Sequence, residues 1–129
     1  MRLARSITAH EVPGADSHIT VTADERDPAN GNASHNYTLQ WQIEREGKPF
    51  EVTQLLQFQH GPINEVGVNG ITNEILIAMV MDRLEGFQAG PFACKDNAEA
   101  LNFLQLALEW LKIRTEKRVA RGVEGKNLK

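Results

Sequence analysis

Residues 68–90, VNGITNEILIAMVMDRLEGFQAG, and residues 94–122, CKDNAEALNFLQLALEWLKIRTEKRVARG, decide the fold. In the second run Leu101, Leu104, Leu108 and Leu111 recur at intervals of three and four, which places them on one face of a helix. In the first run Ile75 to Met81 is apolar without a break, so its apolar groups point all round the helix instead of along one seam. The six residues AGPFAC, 89–94, leave room only for the second helix to turn back on the first. The spacing predicts an antiparallel two-helix hairpin over residues 67–129. One hairpin cannot cover so much apolar surface, and a homo-oligomer is expected to do so.

Working outward, Tyr37, Leu39, Trp41 and Ile43 alternate with Thr38, Gln40 and Gln42, the period of a strand with one buried face. The turn EREGKP leads to a second apolar run from Phe50 to Phe58, whose alternation slips by one near Gln54 and Leu55, as at a bulge. His18–Thr22 suits a short strand, Ser6–Thr8 gives a weaker strand signal, and ADERDPANGNAS between them and Tyr37 reads as a surface loop. The stretch HGPINEVGVNG is expected to be irregular. Residues 1–66 are thus read as a small antiparallel sheet, 67–129 as the hairpin, and the whole as one compact α+β domain.

Composition narrows the function classes. A chain of 129 residues with 41% hydrophobic content suffices for one domain with a core. The net charge of -3 argues against a nucleic-acid partner, because phosphate binding ordinarily shows as an excess of Lys and Arg. A single cysteine, Cys94, excludes an internal disulfide and reads as an inert buried thiol. The four histidines, at 10, 18, 35 and 60, have no catalytic or metal-ligand spacing, and no metal is expected. No apolar run reaches the roughly 18 residues of a membrane span, and MRLARSITAH has no apolar segment of the secretion-signal kind, so no membrane partner is expected. Phosphate-loop, nucleophile-elbow and His-Glu-x-x-His patterns are absent, which leaves catalysis without candidate residues and calls for no cofactor.

The helix ends carry the remaining signals. Asp96-Asn97-Ala98-Glu99 fits a capping box with Asp96 as the cap, and Asn97 stands at that helix entrance. Arg114, Arg118 and Arg121 follow i, i+4, i+7 spacing on one face, an arrangement able to clamp an anion. Each has a plainer reading: cations in a last turn complement the helix dipole, Asn97 starts a helix, and Phe87 and Phe92 lid the core.

The motifs GVNG-x-TNE (67–74), RLE-x-FQ-x-GPFAC (83–94), N-A-x-AL (97–101) and RT-x-x-R-x-x-RGVEG (114–125) together resemble the helical-hairpin region of the phage Thoeris anti-defence 1 family, more distantly the anti-CBASS 2 sponges. The resemblance covers about half of the chain; the strand half matches in arrangement and carries no motif. It implies a non-catalytic sponge in the cytoplasm of an infected bacterium, which holds an NAD-derived cyclic signal, glycocyclic ADP-ribose, away from its effector. It further implies hexamers built from dimers, and cyclic di- or trinucleotides as ligands at separate sites. Carried to this chain, Phe87 would stack on adenine, Asn97 would hydrogen-bond nearby, and Arg114 and Arg118 would meet the diphosphate, with Arg121 beside them. The competing readings are a structural or interaction oligomer without a small-molecule ligand, and a hydrolase of the same signal.

Overall fold

A computed structural model describes residues 4–15 and 18–122. The chain forms two compact units, Met1–His60 and Gly61–Lys129, a division six residues before the one expected from sequence.

The first unit is a four-stranded antiparallel sheet in the order β1 (Arg5–Ile7), β2 (Thr20–Ala23), β3 (Asn36–Arg45), β4 (Lys48–Gln57). β3 and β4 pair without interruption from Asn36 opposite Gln57 to Arg45 opposite Lys48. The expected bulge is absent. Leu55 instead stands opposite Thr38 on the polar side of the sheet and is 76% exposed, so the sequence alternation breaks while the register does not. The turn is also tighter than EREGKP suggested. It consists of Glu46 and Gly47, at φ 53° and 75°, the left-handed pair whose twist matches two antiparallel strands. Gly47 adopts this conformation without the Cβ clash that any other residue would meet.

Cross-strand partners share a face, so Tyr37, Leu39, Trp41 and Ile43 line up with Leu56, Gln54, Val52 and Phe50. Val21 and Ala23 extend this apolar side from β2, and the Phe58 ring meets Tyr37 edge-on with centroids 5.4 Å apart. Among the described residues Ala23 is the one buried apolar side chain; Ser34 and His35, both polar, are the other two buried residues. They belong to a well-bonded segment where the sequence suggested only loop. Asp27 caps a 3₁₀ turn, Pro28–Asn30, its N–H donates to the Ala33 carbonyl at 2.9 Å, and its own carbonyl accepts from Asn32 N–H at 2.8 Å.

The second unit contains α1 (Ile63–Val66), one turn where irregular chain was expected, then α2 (Asn73–Gln88) and α3 (Lys95–Ala120). α2 is capped by Thr72, whose hydroxyl accepts from Ile75 N–H at 3.3 Å. α2 and α3 pack against each other. The partly buried positions of α3 include Asn97, Leu101, Leu104, Leu108, Leu111, Thr115 and Arg118, and those of α2 include Ile77, Met81, Leu84 and Gln88. The leucine stripe thus meets the partner its spacing asked for. A second stripe on α3, Phe103, Leu106 and Trp110, is 52–69% exposed, and α2 leaves Ile75, Met79 and Val80 exposed as well. No helix among the described residues is long and apolar enough to cross a membrane.

The capping box is corrected. Cys94, not Asp96, is the N-cap, with its sulfur accepting from Asn97 N–H at 3.4 Å. Gln88 is the cause: its amide nitrogen donates to the Cys94 carbonyl and its amide oxygen accepts from Cys94 N–H, both at 3.0 Å. That two-point grip holds Cys94 extended (φ -155°, ψ 164°), so the helix begins directly after it and Asp96 falls in the first turn. Cys94 is exposed, contrary to the expected buried thiol.

Candidate functional site

The C-terminal end of α3 collects positive charge for a reason local to the sequence. RTEKRVAR places Arg114, Lys117, Arg118 and Arg121 within eight residues, and the carbonyls left open at a helix C-terminus favour cations there. The Arg121 N–H still donates to Lys117 at 3.1 Å, and Gly122, at φ 72°, turns the chain out of the helix with its N–H on the Val119 carbonyl at 3.0 Å. A cleft of about 710 Å³ runs here, lined by Trp110, Ile113, Arg114, Lys117, Arg118 and Arg121 with Ala120. All three arginines singled out from the sequence therefore face one cleft. Trp110, 69% exposed, supplies a broad aromatic surface beside guanidinium groups, and Ile113 adds an apolar wall. Such a surface suits an anion that also carries a planar ring, because guanidinium groups bind phosphate through charge-assisted hydrogen bonds while an indole stacks on a base.

Trp110 and Ile113 were missed in the sequence. The available signal was spacing: Trp110 precedes Arg114 by four residues and Lys117 by seven, which puts it on the cationic face.

The other two candidates lie at the connection between the helices. Phe87 is partly buried in the last turn of α2; its ring meets Phe92 edge-on, centroids 6.2 Å apart, and carries the Arg83 guanidinium over it at 5.1 Å. Asn97 is partly buried in the first turn of α3, its N–H taken by the Cys94 sulfur. Arg83, Phe87, Phe92 and Asn97 thus surround the loop that Gln88 braces. They do not join the arginines within one chain. α3 is unbroken from Asn97 to Arg118, and those 21 residues span roughly 32 Å at about 1.5 Å per residue.

The sheet unit brings together a group to which the sequence reading gave no role. The Nε2 atoms of His35 and His60 lie 3.1 and 3.3 Å from the same Asp27 oxygen, Oδ2, and the two rings stack at 4.5 Å with 14° between their planes. Asp27 also accepts from the Asn30 amide at 2.7 Å and from Ala29 N–H at 3.1 Å. The Asn30 bond first, then those of His35 and Ala29, hold its carboxyl below the usual carboxylate range against desolvation, which opposes them and is second in size only to the Asn30 bond.

A sheet followed by two long packed helices, with a cationic cleft on the second, defines the class, and comparison with known proteins agrees. The family described as "Acb2/Tad1, hairpin domain" matches residues 53–116, from within β4 through most of α3. The chain is 38% identical over 126 residues to "Thoeris anti-defense 1" of Bacillus phage SBSphiJ7, covering 84% of this chain and 89% of that protein. The chain belongs to the Thoeris anti-defence 1 family.

Proposed function

We propose that this protein counters the Thoeris defence by binding and sequestering an NAD-derived cyclic ADP-ribose signal, glycocyclic ADP-ribose, without cleaving it. The observation that carries the proposal is the α3 cleft, where Arg114, Lys117, Arg118 and Arg121 stand beside Trp110 in a chain of this family. A diphosphate bridging two ribose units meets the guanidinium groups, and an adenine requires an aromatic face. The cleft, about 710 Å³, is open on the α3 surface, so a second copy of the chain would complete its walls.

Phe87 and Asn97 take part from a second copy of the chain. A ligand of nucleotide size does not bridge roughly 32 Å of helix, so the connecting end of one copy must approach the cationic end of another. Exposed Phe103 and Leu106 provide apolar surface that such an assembly, a hexamer in our reading, would bury. Each guanidinium–phosphate bond contributes about 1.5–3 kcal/mol and a stacked base about 1–3 kcal/mol, enough together for a tight complex if the site is preformed. Sequestration requires affinity and no turnover. The protein would act in the cytoplasm of the infected bacterium, and cyclic di- or trinucleotides would occupy separate sites.

The test is capture and release: the purified protein is loaded with glycocyclic ADP-ribose, freed of unbound ligand and denatured, and the released material is analysed. Intact ligand is expected. Cleaved ligand would make the protein an enzyme, and an empty supernatant would leave an interaction protein.

A further inference from the structure

We propose that Asp27, His35 and His60 form a binding site for a divalent transition-metal ion of the zinc type, which ties the loop between β2 and β3 to the chain leaving β4. The three donor atoms lie within 4.8 Å of one another. Two of the three separations, 3.1 and 3.3 Å between histidine Nε2 and Asp27 Oδ2, equal the ligand–ligand edge of a tetrahedral ion, roughly 3.3 Å for bonds of about 2.0–2.1 Å. The third separation also lies within 4.8 Å, and a bound ion would draw it in through the His60 ring, whose side chain is 45% exposed.

The frame around the donors is already built. The His35 N–H donates to Asp24 Oδ1 at 3.0 Å and its carbonyl accepts from Phe58 N–H at 2.7 Å, so the start of β3 and the chain two residues before His60 are held together. The isolated bridge between Asp27 and Ala33 closes the loop. Hydrogen bonds from Asn30 and Ala29 orient the carboxylate, as outer-shell donors do around metal ligands. His35 is 7% exposed, one of three buried residues among those described, and a buried imidazole in a predominantly exposed sheet unit is accounted for if it is a ligand. Two imidazoles and one carboxylate select zinc, cobalt or nickel over magnesium and calcium, which prefer all-oxygen sets. The exposed side of His60, next to a partly buried Asp27, would leave a fourth position to water.

The experiment uses the full chain, freed of metal with EDTA and titrated with Co2+. The expected result is the visible absorption of four-coordinate cobalt, saturating at one ion per chain, displaced by Zn2+ and unaffected by Mg2+, with a raised thermal midpoint. His60→Ala, at a largely exposed position, should keep the circular dichroism of the parent and weaken cobalt binding by about tenfold or more. His10→Ala, outside the cluster, should bind as the parent does. Asp27→Asn should abolish the four-coordinate spectrum. Absence of saturable absorption, or a titration of His60→Ala that superimposes on the parent, would overturn the proposal and leave an Asp27 carboxylate hydrogen-bonded by two histidines.

Discussion

The proposed intersubunit site makes a quantitative prediction for mixed assemblies. Phe87→Ala removes the aromatic face and Arg114→Ala removes one guanidinium, and both substitutions lie at opposite ends of the helix pair. Loss of the stacked base, about 1–3 kcal/mol, corresponds to roughly 5–150-fold in Kd. Loss of one charge-assisted phosphate bond, about 1.5–3 kcal/mol, corresponds to roughly 10–150-fold. Arg114 is exposed and alanine is the best helix former, so its removal should not unfold α3. At ligand concentrations a few times the parent Kd, each variant alone should therefore capture little. When the two variants are co-assembled in equal amounts, a site is intact only if its Phe87 comes from an Arg114→Ala chain and its arginine from a Phe87→Ala chain. Random assortment makes each condition true half the time, so about one quarter of the sites should regain parental affinity. Calorimetric titration of the mixture, against each variant alone, reads this number directly. If the mixture captures no more than the single variants, the two groups do not meet on one ligand across subunits, and the argument from helix length fails.

Other perturbations test separate parts of the structure. Gln88→Ala removes both hydrogen bonds to Cys94 and should cost about 1–2 kcal/mol at this partly buried position, read as a lowered urea midpoint at fixed protein concentration; Gln88→Glu, which keeps the acceptor and loses the donor, should fall between it and the parent. Arg114→Lys should retain charge and lose the forked donor geometry, so its Kd should lie between those of the parent and Arg114→Ala. Asp27 has a carboxyl pKa lowered in the folded state, first by the Asn30 amide, so its contribution to stability is present above its unfolded value of about 3.9 and is lost as pH falls through the folded value. Asp27→Asn should accordingly flatten the decline of the thermal midpoint below about pH 4, and an acid limb identical to the parent's would contradict the assignment.

The cationic face on α3 was legible because it depends on residues three and four apart. The same holds for the leucine stripe and for β3, where a period of two marks the buried side. The histidine cluster was not legible: His35 follows Asp27 by eight residues and His60 follows His35 by 25, spacings that no helix or turn brings together. Only the pairing of β3 with β4 sets Phe58 beside His35 and so carries His60 to Asp27. The start of α3 was misplaced for a related reason. The local pattern favoured Asp96, and the decisive bonds came from Gln88 on the preceding helix.

The sequence alone determined the two long helices and the β3–β4 hairpin, which face of α3 is apolar, and where its arginines fall, because those properties arise from neighbours within one turn or one pleat. Tertiary structure decided that Leu55 stays exposed, that Cys94 caps α3, and that two distant histidines share a carboxylate. These outcomes depend on register and on side chains meeting across elements, and such contacts form only when separate parts of the chain have been brought together.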